Sequence, residues 1–125
     1  MSKFKAGSFQ KSIGFAITGL LLATKSQRNV RIEIVLGMLS VIIGVLLDFS
    51  MLELAVLLIT IGFVLMAEFL NTIIEFIVDA YFGNQYSTLA KMSKDMAAGM
   101  VLMCATLSCV VGFLLFAPKL LRILL

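Results

Sequence analysis

A chain of 125 residues that is 62% hydrophobic and 14% charged, with one Pro and no Trp or His, lies outside the range of soluble domains. Those run at roughly 45–50% apolar and 25% charged residues. The length allows one domain, spanning 1–125, and so much apolar side chain exceeds what a soluble core could hide, so the surplus faces lipid. The reading is an all-α integral membrane protein whose partner surface is the lipid bilayer, with no nucleic-acid partner expected.

The first element is predicted over about 8–26. Its uninterrupted apolar part, Ile13 to Ala23, is too short to cross a bilayer, and Lys3, Lys5, Lys11 and Lys25 flank or interrupt it. That pattern suits an amphipathic helix lying in the membrane interface. A cleaved signal peptide also has a charged start and a short apolar run, but no small-x-small site precedes a soluble mature region here.

Three spanning helices are predicted after it, over 30–47, 52–78 and 96–117. A spanning helix needs about 20 mostly apolar residues, and continuous apolar runs favour helices over the alternation of a barrel. The middle stretch is long enough to project a turn or more into water. The third contains Cys104 and Cys109, five positions apart on one helix, which reads as small buried residues rather than a disulfide or metal site.

Eight basic residues (Lys3, Lys5, Lys11, Lys25, Arg28, Arg31, Lys91 and Lys94) precede the first span or lie between the second and third. Lys119 and Arg122 follow the third, and the turn 48–53 has no basic residue. The positive-inside rule then puts the N-terminus in the cytoplasm and the C-terminus outside.

The second span ends in MAEFLNTIIEFIVDAY (66–81), which carries Glu68, Asn71, Thr72, Glu75 and Asp79. At 100° per residue these five fall within an arc of about 100°, and apolar residues cover the rest of the helix. Asn and Thr alone could act as hydrogen-bonding glue between helices. Two glutamates two turns apart repel unless a cation or basic group lies between them, and ionisable groups at membrane depth are functional candidates. A cation is at hand in LAKMSKDMAAG (89–99). There Lys94 and Asp95 precede Ala97, Ala98 and Gly99, small residues that let helices approach closely. Lys91 reads better as topogenic charge.

Carboxylates for Mg²⁺, a lysine for phosphate and a spare carboxylate for an alcohol proton are the requirements of phosphoryl transfer from a nucleotide. The chain has no P-loop and no protein-kinase Gly-rich loop, so a nucleotide site would be of another design. The rival class is a small oligomeric transporter or ion pathway with Glu68 and Glu75 as a relay. Such an acid belongs near mid-bilayer, whereas Glu75 and Asp79 sit at the end of the span, near Lys91 and Lys94.

EFLNTIIEFIVD followed by LAKMSKDMAAG resembles the prokaryotic diacylglycerol kinase and undecaprenol kinase family, whose pattern is roughly E-x-x-N-[ST]-A-I-E-x-x-V-D, then L-A-K-x-A-K-D-x-A-A-G. The similarity runs from Phe9 through FAPKL (116–120), and the details LAK, AAG and SCVVGFLLFAPK lean towards the undecaprenol kinase branch. The resemblance implies a homotrimer of three-span subunits, each with a surface helix, in the bacterial cytoplasmic membrane. Its active sites would be shared between subunits, with Mg²⁺-ATP entering from the cytoplasm and a lipid alcohol from the bilayer. By the same resemblance Glu68 matches the general base, Asn71 the asparagine beside it, and Lys94 the γ-phosphate lysine. Asp95, Gln85, Ser87 and Lys11 match the nucleotide side, Glu75 and Gln27 the metal site, and Asn29, Asp79 and Glu33 supporting positions.

The chain departs from the family pattern at several places. Gln27-Arg28-Asn29 replaces the usual Glu-x-Asn, so an amide stands where a metal-binding carboxylate is expected, which also suits a catalytically weakened member. Glu33 lies about 120° round the helix from Gln27 and is expected to face elsewhere. Ser87-Thr88 replaces His-Pro, and Ile73 and Met100 stand where Ala is common.

Overall fold

The computed structural model describes residues 7–125, and every regular element among them is a helix: α1 (Phe9–Ser26), α2 (Arg28–Leu46), α3 (Met51–Phe82) and α4 (Thr88–Leu124). Lys3 and Lys5 lie outside the described residues. Three of the helices, α2, α3 and α4, are long and apolar enough to cross a membrane. Their side surfaces carry large exposed apolar residues such as Leu36, Phe63, Leu102 and Phe113.

The helices differ in length, and the difference positions the site. With 19, 32 and 37 residues, α2, α3 and α4 extend about 29, 48 and 56 Å at 1.5 Å per residue. The hydrocarbon core of a bilayer is about 30 Å thick. Because α2 and α3 meet through the short turn 47–50, the surplus of α3 lies at its far end. There the loop 83–87 hands the chain to α4. This loop end carries Glu75, Asp79, Lys91 and Lys94. The apolar stretch 96–117 lies wholly inside α4, which starts earlier, at Thr88. A hydropathy run ends where lipid-facing residues end, whereas backbone hydrogen bonding carries the helix on.

Local chemistry sets the turns. Ser50 and Glu53 form a capping box: the Glu53 N–H donates to Ser50 Oγ at 3.1 Å and the Ser50 N–H to Glu53 Oε1 at 3.0 Å. Asp48 adopts φ 60° in the turn before it, a conformation that Asp tolerates better than most residues. Phe49 is buried there, with its ring 4.8 Å from that of Phe116. At the other end Gly83 stops α3 at φ 60°. Lys119 on α4 pairs with Glu53 at 3.3 Å, so the start of α3 is tied to the end of α4.

Packing is most extensive between α3 and α4, less between α2 and α3, and sparse between α1 and α2. The α2–α3 contact depends on Gly37, where an added Cβ would stand 2.8 Å from Ile61 Cγ2. Ile61 is β-branched and stiff, so it yields little. Gly37→Val is expected to destabilise the fold by about 1–3 kcal/mol. Thermal unfolding in detergent checks this; an unchanged midpoint would contradict the contact.

Candidate active site

The polar stripe of α3 is graded in depth. Glu68 and Thr72 are buried, Asn71 and Glu75 are half-buried, and Asp79 is exposed. Glu68 is only 3% exposed, and Ala67, Val30 and Ala23 are buried as well. Each stripe residue has a local partner. Asn29 Nδ2 donates to Glu68 Oε1 at 3.3 Å across the α2–α3 interface, and Asn71 Nδ2 donates to Glu75 Oε1 at 3.3 Å. Thr72 Oγ1 donates back to the Glu68 carbonyl at 2.9 Å. Thr72 is therefore tied to its own helix, as a hydroxyl at an interior helical position often is.

The lysine from α4 does reach the stripe. Lys94 Nζ donates to Asp79 Oδ1 at 2.7 Å and lies within electrostatic reach of Glu75. Asp95 does not join it. Its carboxylate pairs with Lys91 at 2.6 Å, one turn back along the exposed face of α4. Of the small residues at the start of α4, Ala97 is buried, whereas Ala98 and Gly99 are exposed and Gly99 has open space where a Cβ would stand.

Gln27, Lys11, Gln85 and Ser87 make no hydrogen bond to this group among the described residues. Gln27 forms the extended joint between α1 and α2 (φ −114°, ψ 113°), and its Nε2 donates to Ser26 Oγ at 3.4 Å. Gln85 is exposed in the loop, and Ser87 is the N-cap residue of α4 without a side-chain cap bond. Glu33 faces the α2–α3–α4 interior, within electrostatic reach of Glu68, and its Oε2 is buried with no hydrogen-bond partner among the described residues. Glu33 therefore belongs to the Glu68 neighbourhood and does not stand in for Gln27.

One positioning residue was not visible in the sequence as more than charge. Arg31 Nη1 donates to the carbonyl oxygens of Thr24 and Lys25 at 3.1 and 2.8 Å. These are among the last carbonyls of α1, which have no intrahelical partners, so Arg31 pins the α1–α2 joint. A basic residue close after a helix end is the only signal for it.

Two observations bear on what could bind here. An apolar groove of about 450 Å³ between α1 and α3, lined by Leu20, Ala23, Phe69, Thr72, Ile73 and Phe76, begins at the residue after Glu68 and runs along the following two turns. Mg²⁺ is commonly held by one or two carboxylates together with phosphate oxygens and water. Among the described residues no three potential ligands converge on one point. Glu75, half-buried with one oxygen on Asn71, therefore fits a metal that arrives with a nucleotide better than a metal caged by protein alone.

A family model described as "Prokaryotic diacylglycerol kinase" matches residues 14–116. A diacylglycerol kinase from Synechocystis sp. is 38% identical over 113 residues, covering 90% of this chain and 65% of the relative. An undecaprenol kinase from Bacillus subtilis is 36% identical over 112 residues, covering 90% of each. The chain thus spans about two thirds of the first relative and nearly all of the second. The matched region contains every element of the stripe on α3 and its lysine on α4, and this chain belongs to the prokaryotic diacylglycerol kinase family.

Proposed function

We propose that this protein transfers the γ-phosphoryl group of ATP to the hydroxyl of a membrane lipid alcohol, undecaprenol in the first place and diacylglycerol in the second. The observation that carries the reading is the pairing of Lys94 with the carboxylate stripe of α3, while Glu68 lies buried in the same stripe beside an apolar groove. A phosphate-binding cation set against the same helical face as a carboxylate base, with an apolar groove alongside, is what a kinase acting at a membrane surface requires. Undecaprenol is placed first because the Bacillus undecaprenol kinase matches along 90% of both chains.

In the reaction Glu68 accepts the proton of the lipid hydroxyl as its oxygen bonds to the γ-phosphorus. The bond from that phosphorus to the bridging oxygen breaks, and ADP departs with the electron pair. Asn29 holds Glu68 Oε1 from α2 and fixes the direction of the carboxylate. Lys94 offsets the charge on the moving phosphoryl group. Glu75, with Gln27, would hold Mg²⁺, which when bound neutralises phosphate charge. Asn71 orients Glu75 through its bond to Oε1, and Asp95, Gln85, Ser87 and Lys11 serve the nucleotide side.

The assembly is a homotrimer in the bacterial cytoplasmic membrane, with the N-terminus and the loop end cytoplasmic and the C-terminus outside. In it α1 lies along the interface. Within one chain the Gln27 amide bonds to Ser26 and Glu75 accepts from Asn71, which leaves room for a site completed between subunits. Initial rates with matched micellar undecaprenol and diacylglycerol test the substrate choice. A higher kcat/KM for undecaprenol is expected, and a clear preference for diacylglycerol would reverse the order.

Gln27 supplies an oxygen but no charge, so Gln27→Glu is expected to lower the Mg²⁺ concentration for half-maximal rate by roughly tenfold, about 1.4 kcal/mol of added affinity. An Mg²⁺ titration of the two proteins decides; an unchanged or higher requirement would remove Gln27 from the metal site.

A further inference from the structure

From the 2.7 Å contact between Asp79 Oδ1 and Lys94 Nζ, we propose that Asp79 is a positioning residue that holds the Lys94 ammonium ready and yields it to the nucleotide's terminal phosphate. The inference rests on the reading of Lys94 as the phosphate lysine. Three features support it.

The first is that stability does not account for the pair. The side chains of Lys94 and Asp79 are 45% and 62% exposed, and ion pairs in such surroundings contribute little to folding. The α3–α4 contact is the most extensive in the fold and does not depend on one exposed pair. The consequence of the pair is therefore where it puts a charge.

The second is reach. Asp79 lies one helical turn beyond Glu75 on the same face of α3, an axial step of about 6 Å. Lysine carries its ammonium on a flexible four-carbon stem. Lys94 already senses Glu75 electrostatically from its place on Asp79. A swing of the stem alone can carry the ammonium from Asp79 to a phosphate bound at the level of Glu75.

The third is that the neighbouring acid is engaged elsewhere. Asp95, next to Lys94 in sequence, is held by Lys91 at 2.6 Å. Asp79 is thus the carboxylate in contact with Lys94, and a phosphate must compete with it for the ammonium. Asp79 would weaken nucleotide binding slightly while keeping the ammonium on the correct side of α4 for transfer.

Removing the carboxylate should therefore split binding from turnover. With purified protein in micelles, Asp79→Asn is expected to bind Mg²⁺ and a non-hydrolysable ATP analogue about two- to fivefold more tightly, the range corresponding to an exposed pair. Its kcat is expected to fall by up to roughly tenfold as Lys94 loses its alignment. Asp79→Glu, which keeps the charge, should return both values towards wild type. In a Lys94→Ala background, Asp79→Asn should leave analogue affinity unchanged, since the effect acts through the lysine. Weaker or unaltered analogue binding in Asp79→Asn would overturn the proposal, as would tightening that persists without Lys94. If Lys94→Ala by itself kept full activity, the phosphate-lysine reading would fail instead, which is a separate and recognisable result.

Discussion

Glu68→Gln is expected to lower kcat for lipid phosphorylation by roughly 10²- to 10⁴-fold, the usual contribution of a positioned general base, while leaving the fold intact. The side chain is 3% exposed and is met by Asn29 Nδ2 at 3.3 Å. Gln has the same shape and keeps an oxygen for that donor. Burying a neutral amide is also less costly than burying a carboxylate, so the thermal midpoint should hold or rise. The loss then reports chemistry and not packing. KM for ATP should change little, because Glu68 lies deeper along α3 than Glu75 and Asp79. Initial rates together with thermal unfolding in the same detergent check this. Full activity in Glu68→Gln would remove it from the role of base.

The second large effect is expected at Lys94. Lys94→Ala removes the cation found on the carboxylate stripe, leaving Asp79 and Glu75 without the ammonium that pairs with one and reaches the other electrostatically. Loss of one preorganised charge at a transferring phosphoryl group costs roughly 10²–10³ in rate, and weaker ATP binding should accompany it. Lys94→Arg keeps the charge but exchanges a mobile point charge for a rigid planar fork, so it should recover only part of the activity. Steady-state kinetics with varied ATP separates the two parameters. An unchanged kcat/KM for ATP in Lys94→Ala would contradict the assignment. Glu68→Gln and Lys94→Ala should thus differ in kind, the first sparing nucleotide binding and the second impairing it.

How much of this was legible in the sequence depends on the range of the interaction. The existence of three long apolar helices follows from hydropathy, and α2, α3 and α4 have that character. The stripe is also a local property: residues 68, 71, 72, 75 and 79 recur at helical spacing and share a face whatever surrounds the helix. Helix ends were less visible. Thr88 and Phe82 lie in polar sequence, where hydropathy gives no signal and capping and glycine chemistry decide.

Contacts between helices depend on register set by the loop, and here the sequence was least informative. Spacing alone left Lys94 and Asp95 both free to meet the stripe. In the folded chain Lys94 meets Asp79 and Asp95 turns to Lys91. The neighbourhood of Glu33 and Glu68 and the clasp of Arg31 on Thr24 and Lys25 are likewise set by tertiary packing. A site shared between subunits lies further beyond such reasoning, since no local pattern encodes which chain supplies which residue.

Transfer of the γ-phosphoryl group of ATP onto a lipid hydroxyl, with Glu68 as base, leaves a product that can be followed by its label. Its most direct test is incubation of purified protein with γ-labelled ATP, Mg²⁺ and micellar undecaprenol or diacylglycerol, with separation of the lipid products. Labelled lipid monophosphate should form with wild-type protein, depend on Mg²⁺ and almost vanish with Glu68→Gln. Label that never enters either lipid, or enters it equally with Glu68→Gln, would contradict the account.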